Sequence, residues 1–179
     1  MPKLVDHAAR RRELAAAVWR VIARDGVAEV SIRAVAAESG WSSGALRHYF
    51  ATRAELLAFA CEEVVATVTR RIEQLQPQGT PREVAEALLR ETMPLDAERH
   101  LESSIAFAFL ALGLGDPELA RVQRAHFAAM AELCRVVAPE GADPRRLHAY
   151  VDGLTVQVLA GHLTAEEAAA GLSAYLDDC

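Results

Sequence analysis

The sequence contains few of the residues that mark fibrous, disulfide-rich or disordered proteins. Glycine and proline together supply only 10 and 7 of the 179 residues, too few for a fibrous or linker-rich chain. The three cysteines, Cys61, Cys134 and Cys179, lack metal-binding or redox spacing, and their odd number fits a reducing compartment. Because hydrophobic residues make up 52% and charged residues 25%, the composition indicates an ordinary globular chain.

Long hydrophobic segments are also missing. The longest apolar run, 105–115, is much shorter than the roughly 20 residues of a transmembrane helix. Near the N-terminus, the charged residues 10–13 occupy the positions where a signal peptide needs its apolar region. We therefore expect a soluble, cytoplasmic protein with no membrane partner.

What the sequence does contain favours an all-α fold of about nine helices. Alanine, leucine, glutamate and arginine dominate, and runs of β-branched residues are scarce. Capping boxes are predicted at Thr52, Thr80 and Thr164, and apolar residues on all sides of 105–114 predict a buried segment. The predicted helices start near Asp6, Ser31, Ser42, Thr52, Thr80, Leu95, Asp116, Asp143 and Thr164.

Charge is distributed unevenly along the chain. Residues 1–53 carry nine basic and five acidic side chains, a net charge of +4, whereas the remainder carries a net charge of −10. A basic first third on an acidic body indicates a segment that binds a polyanion.

Three short predicted helices, 6–25, 32–39 and 43–49, follow one another in this basic segment. Only about three residues separate the second helix from the third, and Gly40 lies in that turn. This spacing is typical of a helix-turn-helix, whose last helix enters the DNA major groove. Serine residues cap these helices, and Ser42 is the cap of the third. The backbone N–H groups at such capped N-termini can also bind phosphate.

The third predicted helix has side chains suited to DNA. Ser43 and Gly44 are small and allow close approach of the backbone, while Arg47 and His48 can reach base edges or phosphates. Tyr49 carries a hydroxyl on a rigid ring, suited to a phosphate contact. Each feature alone has an ordinary structural explanation, and only their joint occurrence favours DNA binding.

The segment 31–50, SIRAVAAESGWSSGALRHYF, resembles the N-terminal domain of the tetracycline-repressor (TetR) family. It departs from the family pattern at Trp41, Arg47 and Arg53, where valine, tyrosine and lysine are usual. Arg53 keeps a cation for a phosphate, but Arg47 replaces a ring that often touches DNA. The base preference therefore cannot be transferred from the family.

The tail, 152–176, is similar to the C-terminal domain of the betaine-regulator-like subgroup. The resemblance implies a helix-turn-helix DNA-binding domain over 1–53 and a helical ligand-binding and dimerisation domain over 54–179. It also implies phosphate contacts by Ser31, Arg33, Tyr49 and Arg53, and base contacts by Ser43, Gly44, Arg47 and His48.

A ligand pocket among helices four to seven is a further implication of the resemblance. His126 falls on an apolar stripe and is either a core histidine or a polar anchor for a ligand. The same two interpretations, core or pocket, hold for all the candidates: Phe59, Phe107, Phe109, His126, Phe127 and Met130.

Helices eight and nine are predicted to form a two-fold dimer interface. Both helices have apolar residues beyond a single stripe, and such a helix needs a second partner. The residues predicted at the interface are Val151, Leu154, Val158, His162, Ala169, Leu172 and Leu176.

Together these features predict a ligand-responsive repressor that binds a palindromic operator as a homodimer and is released by an unidentified small-molecule effector. One alternative is a DNA-binding regulator without a ligand. A small helical enzyme is the other, but the sequence has no His-Glu-x-x-His motif, paired metal spacing or glycine-rich phosphate loop. No cofactor and no metal are expected.

Overall fold

The structure, a computed structural model, describes residues 7–113 and 115–178, and this part of the chain is helical with no strand. The nine predicted helices are confirmed, although the predicted cap Asp6 lies outside the described residues. None of the described helices combines the length and hydropathy needed to cross a bilayer. The elements are α1 (His7–Asp25), a 3₁₀ helix (Val27–Glu29), α2 (Ile32–Ser39), α3 (Ser43–Tyr49), α4 (Arg53–Gln74), α5 (Pro81–Arg90), α6 (Ala97–Gly113), α7 (Pro117–Val137), α8 (Pro144–Leu159) and α9 (Ala165–Asp177).

Side-chain caps fix the starts of several helices. Thr80 and Thr164 form complete capping boxes, as predicted. At Thr52 the box is only half formed, which corrects the prediction. The Thr52 hydroxyl accepts the Glu55 N–H at 3.1 Å, but the Glu55 carboxylate accepts the N–H of Ala51 at 2.8 Å instead of that of Thr52.

The turn before α2 contains the 3₁₀ helix, which the sequence pattern did not predict. Gly26 precedes it with a φ of 87°, a left-handed conformation that favours glycine. A segment of three residues is too short to show a hydrophobic period. Gly40 ends α2 with a φ of 73°, so the predicted glycine turn between α2 and α3 is confirmed.

Two hydrophobic cores hold the helices together. The first joins α1, α2, α3 and the first half of α4, and it includes Ile105 and Phe109 from α6 and Leu119 and Val122 from α7. The second is built by α5, α7, α8 and α9. Helix α4 therefore starts within the helix-turn-helix and continues into the body of the protein.

The apolar segment 105–114 is not buried on all sides, which corrects the prediction. Ile105 and Phe109 are fully buried in the first core, but 37% of Leu110 is exposed. One side of α6 faces solvent at this point, so apolar composition alone did not determine burial.

Candidate nucleic-acid interface and ligand cavity

Serine caps organise the two helices of the helix-turn-helix. The Ser31 hydroxyl accepts the Ala34 N–H at 3.1 Å, and the Ser42 hydroxyl accepts the Ala45 N–H at 3.0 Å. Both side chains thus form the N-caps that the sequence predicted. The remaining N–H groups at these helix starts are the ones suited to phosphate.

Helix α3 is anchored by one side chain and exposes its others. Leu46 is completely buried, whereas Arg47, His48 and Tyr49 are exposed. The Tyr49 ring, 55% exposed, packs edge-on against Trp41 with ring centroids 5.7 Å apart. Trp41, one of the three residues that depart from the family pattern, therefore supports the exposed face of α3.

The small residues at the start of α3 and the arginine of α2 are exposed as well. Ser43, Gly44 and Arg33 all face solvent. The nearest atom to a Cβ built on Gly44 is the Ser42 hydroxyl oxygen at 3.9 Å. The packing of the chain itself leaves room for a larger side chain at Gly44.

Arg53 differs from the other predicted DNA contacts, because backbone carbonyls of the chain already hold its guanidinium. Its Nε donates to the Val30 carbonyl at 2.8 Å, and its Nη2 donates to the carbonyls of Val27 at 2.6 Å and Ala28 at 3.4 Å. These hydrogen bonds join the first residue of α4 to the segment just before α2.

A cavity of about 320 Å³ lies in the body between α4, α6, α7 and α8. Three of the six predicted ligand residues, Phe107, His126 and Met130, lie on its wall. Helix α4 contributes Val64 and Val68 among other apolar residues. The volume of the cavity is at the lower end of the range for small-molecule sites.

The other three predicted ligand residues do not line this cavity. Phe59 packs in the first core against Phe50, with centroids 5.1 Å apart, and lines a smaller cavity of about 200 Å³ next to α1 and α3. Phe109 is fully buried in the first core. Phe127 packs against His148 at 5.8 Å. The sequence could not assign the facing direction of aromatic residues on helices that are apolar over a wide arc.

The charged groups on the cavity wall are acidic. No arginine or lysine lines it within the described part of the chain. His126 is the basic group on the wall, and burial, together with the nearby His148, lowers its pKa. The carboxylates on the wall are Glu73, Glu91, Glu102, Glu132 and Asp152.

Arginines behind the wall neutralise some of these carboxylates. Arg71 on α4 holds Glu102 through two hydrogen bonds, and its Nε lies 2.6 Å from a Glu91 carboxylate oxygen. Arg99 pairs with Glu91 at 3.2 Å. The hydrogen bonds to Glu102 are the main cause of the raised pKa of Arg71. Glu132 is likewise paired with Arg135, so among the described residues Glu73 and Asp152 are the wall carboxylates without an arginine partner.

Asp152 is the wall carboxylate with the most unusual environment. Burial raises its pKa, and the nearby His148 opposes that shift. The His148 Nε2 lies 3.4 Å from the Asp152 carboxylate but makes no hydrogen bond. Asp152 was not among the predicted ligand residues, although it is the single acid within the apolar stripes of α8 and lies on the cavity wall.

Most of the residues predicted at the dimer surface are buried in the core of the chain. Six of the seven predicted residues are buried within the chain itself, and His162 alone of the seven is exposed. The predicted stripe is the one that packs into the protein's own second core, so the opposite faces of α8 and α9 point outward. The six buried residues are Val151, Leu154, Val158, Ala169, Leu172 and Leu176.

Small residues and one larger apolar residue form the outward face of α8. Ala149 and Val156 are exposed, Val156 by 45%, and no atom lies within 4 Å of a Cβ built on Gly153. On α9, Ala170 and Ala174 are exposed in the same way.

Two family models match the chain. Residues 14–59 match the model described as bacterial regulatory proteins, tetR family, and residues 81–179 match the model of the BetI-type transcriptional repressor, C-terminal. The chain belongs to the TetR family of transcriptional regulators. The predicted function as a DNA-binding transcriptional regulator of this family, and not an enzyme, is confirmed.

Individual relatives of this TetR-family chain support the same assignment. The HTH-type transcriptional regulator PksA of Bacillus subtilis is 36% identical over 172 residues, which cover 89% of this chain and 83% of PksA. A transcriptional regulator from Rhodococcus superposes with a TM-score of 0.83 at 27% identity, covering 94% of each chain. The multidrug-binding protein EbrR in complex with ethidium superposes with a TM-score of 0.70 at 26% identity, covering 93% of this chain and 98% of EbrR.

Proposed function

We propose that this chain is a homodimeric repressor that binds a palindromic operator through α3 and releases it when a small organic cation occupies the cavity. Its place of action is the cytoplasm, because that is where the DNA lies. The observation that carries the proposal is the position of α4, which belongs to the core of the helix-turn-helix and also lines the cavity.

The exposed face of α3 is the surface proposed to contact bases. Arg47 and His48 point away from the core that buries Leu46, and arginine and histidine can donate hydrogen bonds in the major groove. Arg33 and Tyr49 are proposed phosphate contacts, together with the N-termini capped by Ser31 and Ser42. In this proposal residues 1–53 form the DNA-binding domain and 54–179 the ligand-binding and dimerisation domain.

The outward faces of α8 and α9 are the proposed dimer interface. TetR-family regulators bind DNA as dimers, and a helix-turn-helix dimer places two recognition helices in successive major grooves. Ala149, Gly153, Ala170 and Ala174 allow close helix approach. Val156 supplies an exposed apolar contact that a second copy would bury.

A compact organic cation fits the cavity because the cavity combines apolar walls with negative charge. Val64, Val68 and Met130 provide the apolar surface, and Asp152 provides a carboxylate that has no arginine partner among the described residues. A bound cation would stabilise the ionised form of Asp152, which burial disfavours. EbrR, with the same fold, binds ethidium, itself an organic cation.

Helix α4, shared by the cavity and the helix-turn-helix, can transmit a ligand-induced displacement to the DNA-binding surface. Its Val64 and Val68 side chains line the cavity, and its Leu56 and Leu57 are buried in the helix-turn-helix core. A ligand that displaces the cavity segment of α4 would also displace the helix-turn-helix. In a dimer this changes the separation of the two recognition helices, and coupling of this kind is typically 5- to 150-fold in affinity.

Choline and its uncharged isostere 3,3-dimethylbutan-1-ol test the charge requirement. We expect choline to raise the melting temperature of the wild-type protein and the alcohol to have a much smaller effect. The Asp152→Asn variant should lose the preference for choline. Equal effects of the two compounds would contradict a cation site, and no effect of either would favour a regulator without a ligand of this class.

A further inference from the structure

Arg53 occupies a position where a phosphate contact was expected, but its hydrogen bonds point elsewhere. Its side chain turns toward the 3₁₀ helix and donates to the carbonyls of Val27, Ala28 and Val30. The Val27 carbonyl also accepts the Val30 N–H at 3.3 Å, so the guanidinium is a second donor to it. A cation near the end of a helix stabilises the carbonyls there.

The carbonyls that accept hydrogen bonds from Arg53 lie directly before α2, the first helix of the helix-turn-helix. Val30 directly precedes Ser31, the N-cap of α2, while Arg53 is the first residue of α4 after its own N-cap, Thr52. The guanidinium therefore links the starts of two helices. A phosphate contact by the same Nε and Nη2 groups would compete with three backbone hydrogen bonds.

We propose that Arg53 is a positioning residue that holds the N-termini of α2 and α4 together, and that it does not itself neutralise a DNA phosphate. This inference rests on the proposed DNA-binding function. Through this link, the start of α4 sets the position of the Ser31-capped helix end on the DNA backbone.

Arg33 provides a matched comparison on the same domain. It is exposed on α2, and within the described part of the chain its side chain has no ion-pair or hydrogen-bond partner. A phosphate contact releases counterions and contributes about 0.9 to the slope of log affinity against log salt concentration. Arg33 and Arg53 should therefore differ in their effect on this slope.

The test measures binding of a fluorescent duplex, selected by the wild-type protein from a random library, across a series of NaCl concentrations. Arg33→Met should lower the slope by about 1.8, since a dimer loses two phosphate contacts. Arg53→Met should weaken binding about tenfold or more with the wild-type slope, because the loss is one of positioning. Arg53→Lys keeps the charge but lacks the planar fork, so it should restore binding only in part.

The proposal would be overturned if Arg53→Met lowered the slope of log affinity against log salt concentration as much as Arg33→Met does. Full recovery of DNA affinity in Arg53→Lys would overturn it as well. If Arg53→Met does not fold, NMR of the wild-type protein decides the question. The Arg53 Nε–H signal should be protected from exchange without DNA and unchanged when DNA is added, and a large shift on DNA binding would contradict the proposal. Failure of the wild-type protein to bind any duplex would instead refute the proposed function.

Discussion

Arg71 on α4 and Glu102 on α6 form a two-pronged ion pair at the wall of the ligand cavity. The Nη1 and Nη2 groups donate to the two carboxylate oxygens at 3.1 and 2.7 Å, and only 5% of the Glu102 side chain is exposed. The pair links the cavity end of α4 to α6. At the other end of α4, the hydrogen bonds of Arg53 link the helix to the segment before α2.

Removing Arg71 should destabilise the protein by leaving Glu102 buried without its cation. We expect Arg71→Met to lower the free energy of unfolding by about 3 kcal/mol in urea denaturation. The neighbouring Arg70 is exposed, and Arg70→Met should change it by less than about 0.5 kcal/mol. The double variant Arg71→Met/Glu102→Leu should recover much of the loss. Equal stability of the two single variants would show that the pair contributes little.

Asp152 should make stability depend on pH. Because burial raises its pKa in the folded state, the folded protein binds this proton more tightly than the unfolded chain does. The resulting penalty is absent below the unfolded pKa and is complete once the pH exceeds the folded pKa. Asp152→Asn should therefore melt higher than the wild type at pH 8, with a difference that shrinks as the pH is lowered. The exposed Asp178→Asn serves as the control, and a pH-independent difference for Asp152→Asn would contradict the prediction.

The dimer surface is tested by placing a charge on its exposed face. We expect Val156→Glu to yield a folded monomer by light scattering and circular dichroism, with operator affinity reduced about 100-fold or more. Val136, 65% exposed on α7, lies outside the proposed interface, so Val136→Glu should remain dimeric. Leu154→Lys, by contrast, introduces a buried charge and should unfold the chain. A dimeric Val156→Glu variant with normal operator affinity would exclude this face.

The helices and their starts were predictable from sequence because their signals are local. Threonine caps followed by glutamate, as at Thr80 and Thr164, involve hydrogen bonds within one turn. The end of α2 at Gly40 depends only on the left-handed backbone conformation of that glycine. Such features depend little on the rest of the fold.

Features that depend on tertiary packing were harder to predict. Helix α8 is apolar on two sides, and the sequence could not determine which side packs against α7 and α9, so Val151 and Leu154 were placed at the dimer surface instead of the core. The carbonyl contacts of Arg53 cross more than 20 residues, and the family pattern indicated only a cation at that position. Residues from four helices line the cavity. Which side chains face it depends on how those helices pack, so the sequence prediction included Phe107 but omitted Asp152.

The most direct test of the central claim is selection of DNA from a random duplex library by the wild-type protein and by Arg47→Ala/His48→Ala. We expect the wild type to enrich a palindrome whose half-sites are spaced for two major-groove contacts on one side of the DNA helix. The double variant should lose about 1–3 kcal/mol per base contact on that sequence while keeping most of its non-specific, salt-sensitive binding. Enrichment of the same palindrome by both proteins, with equal affinity, would contradict the assignment of α3 as the element that recognises DNA.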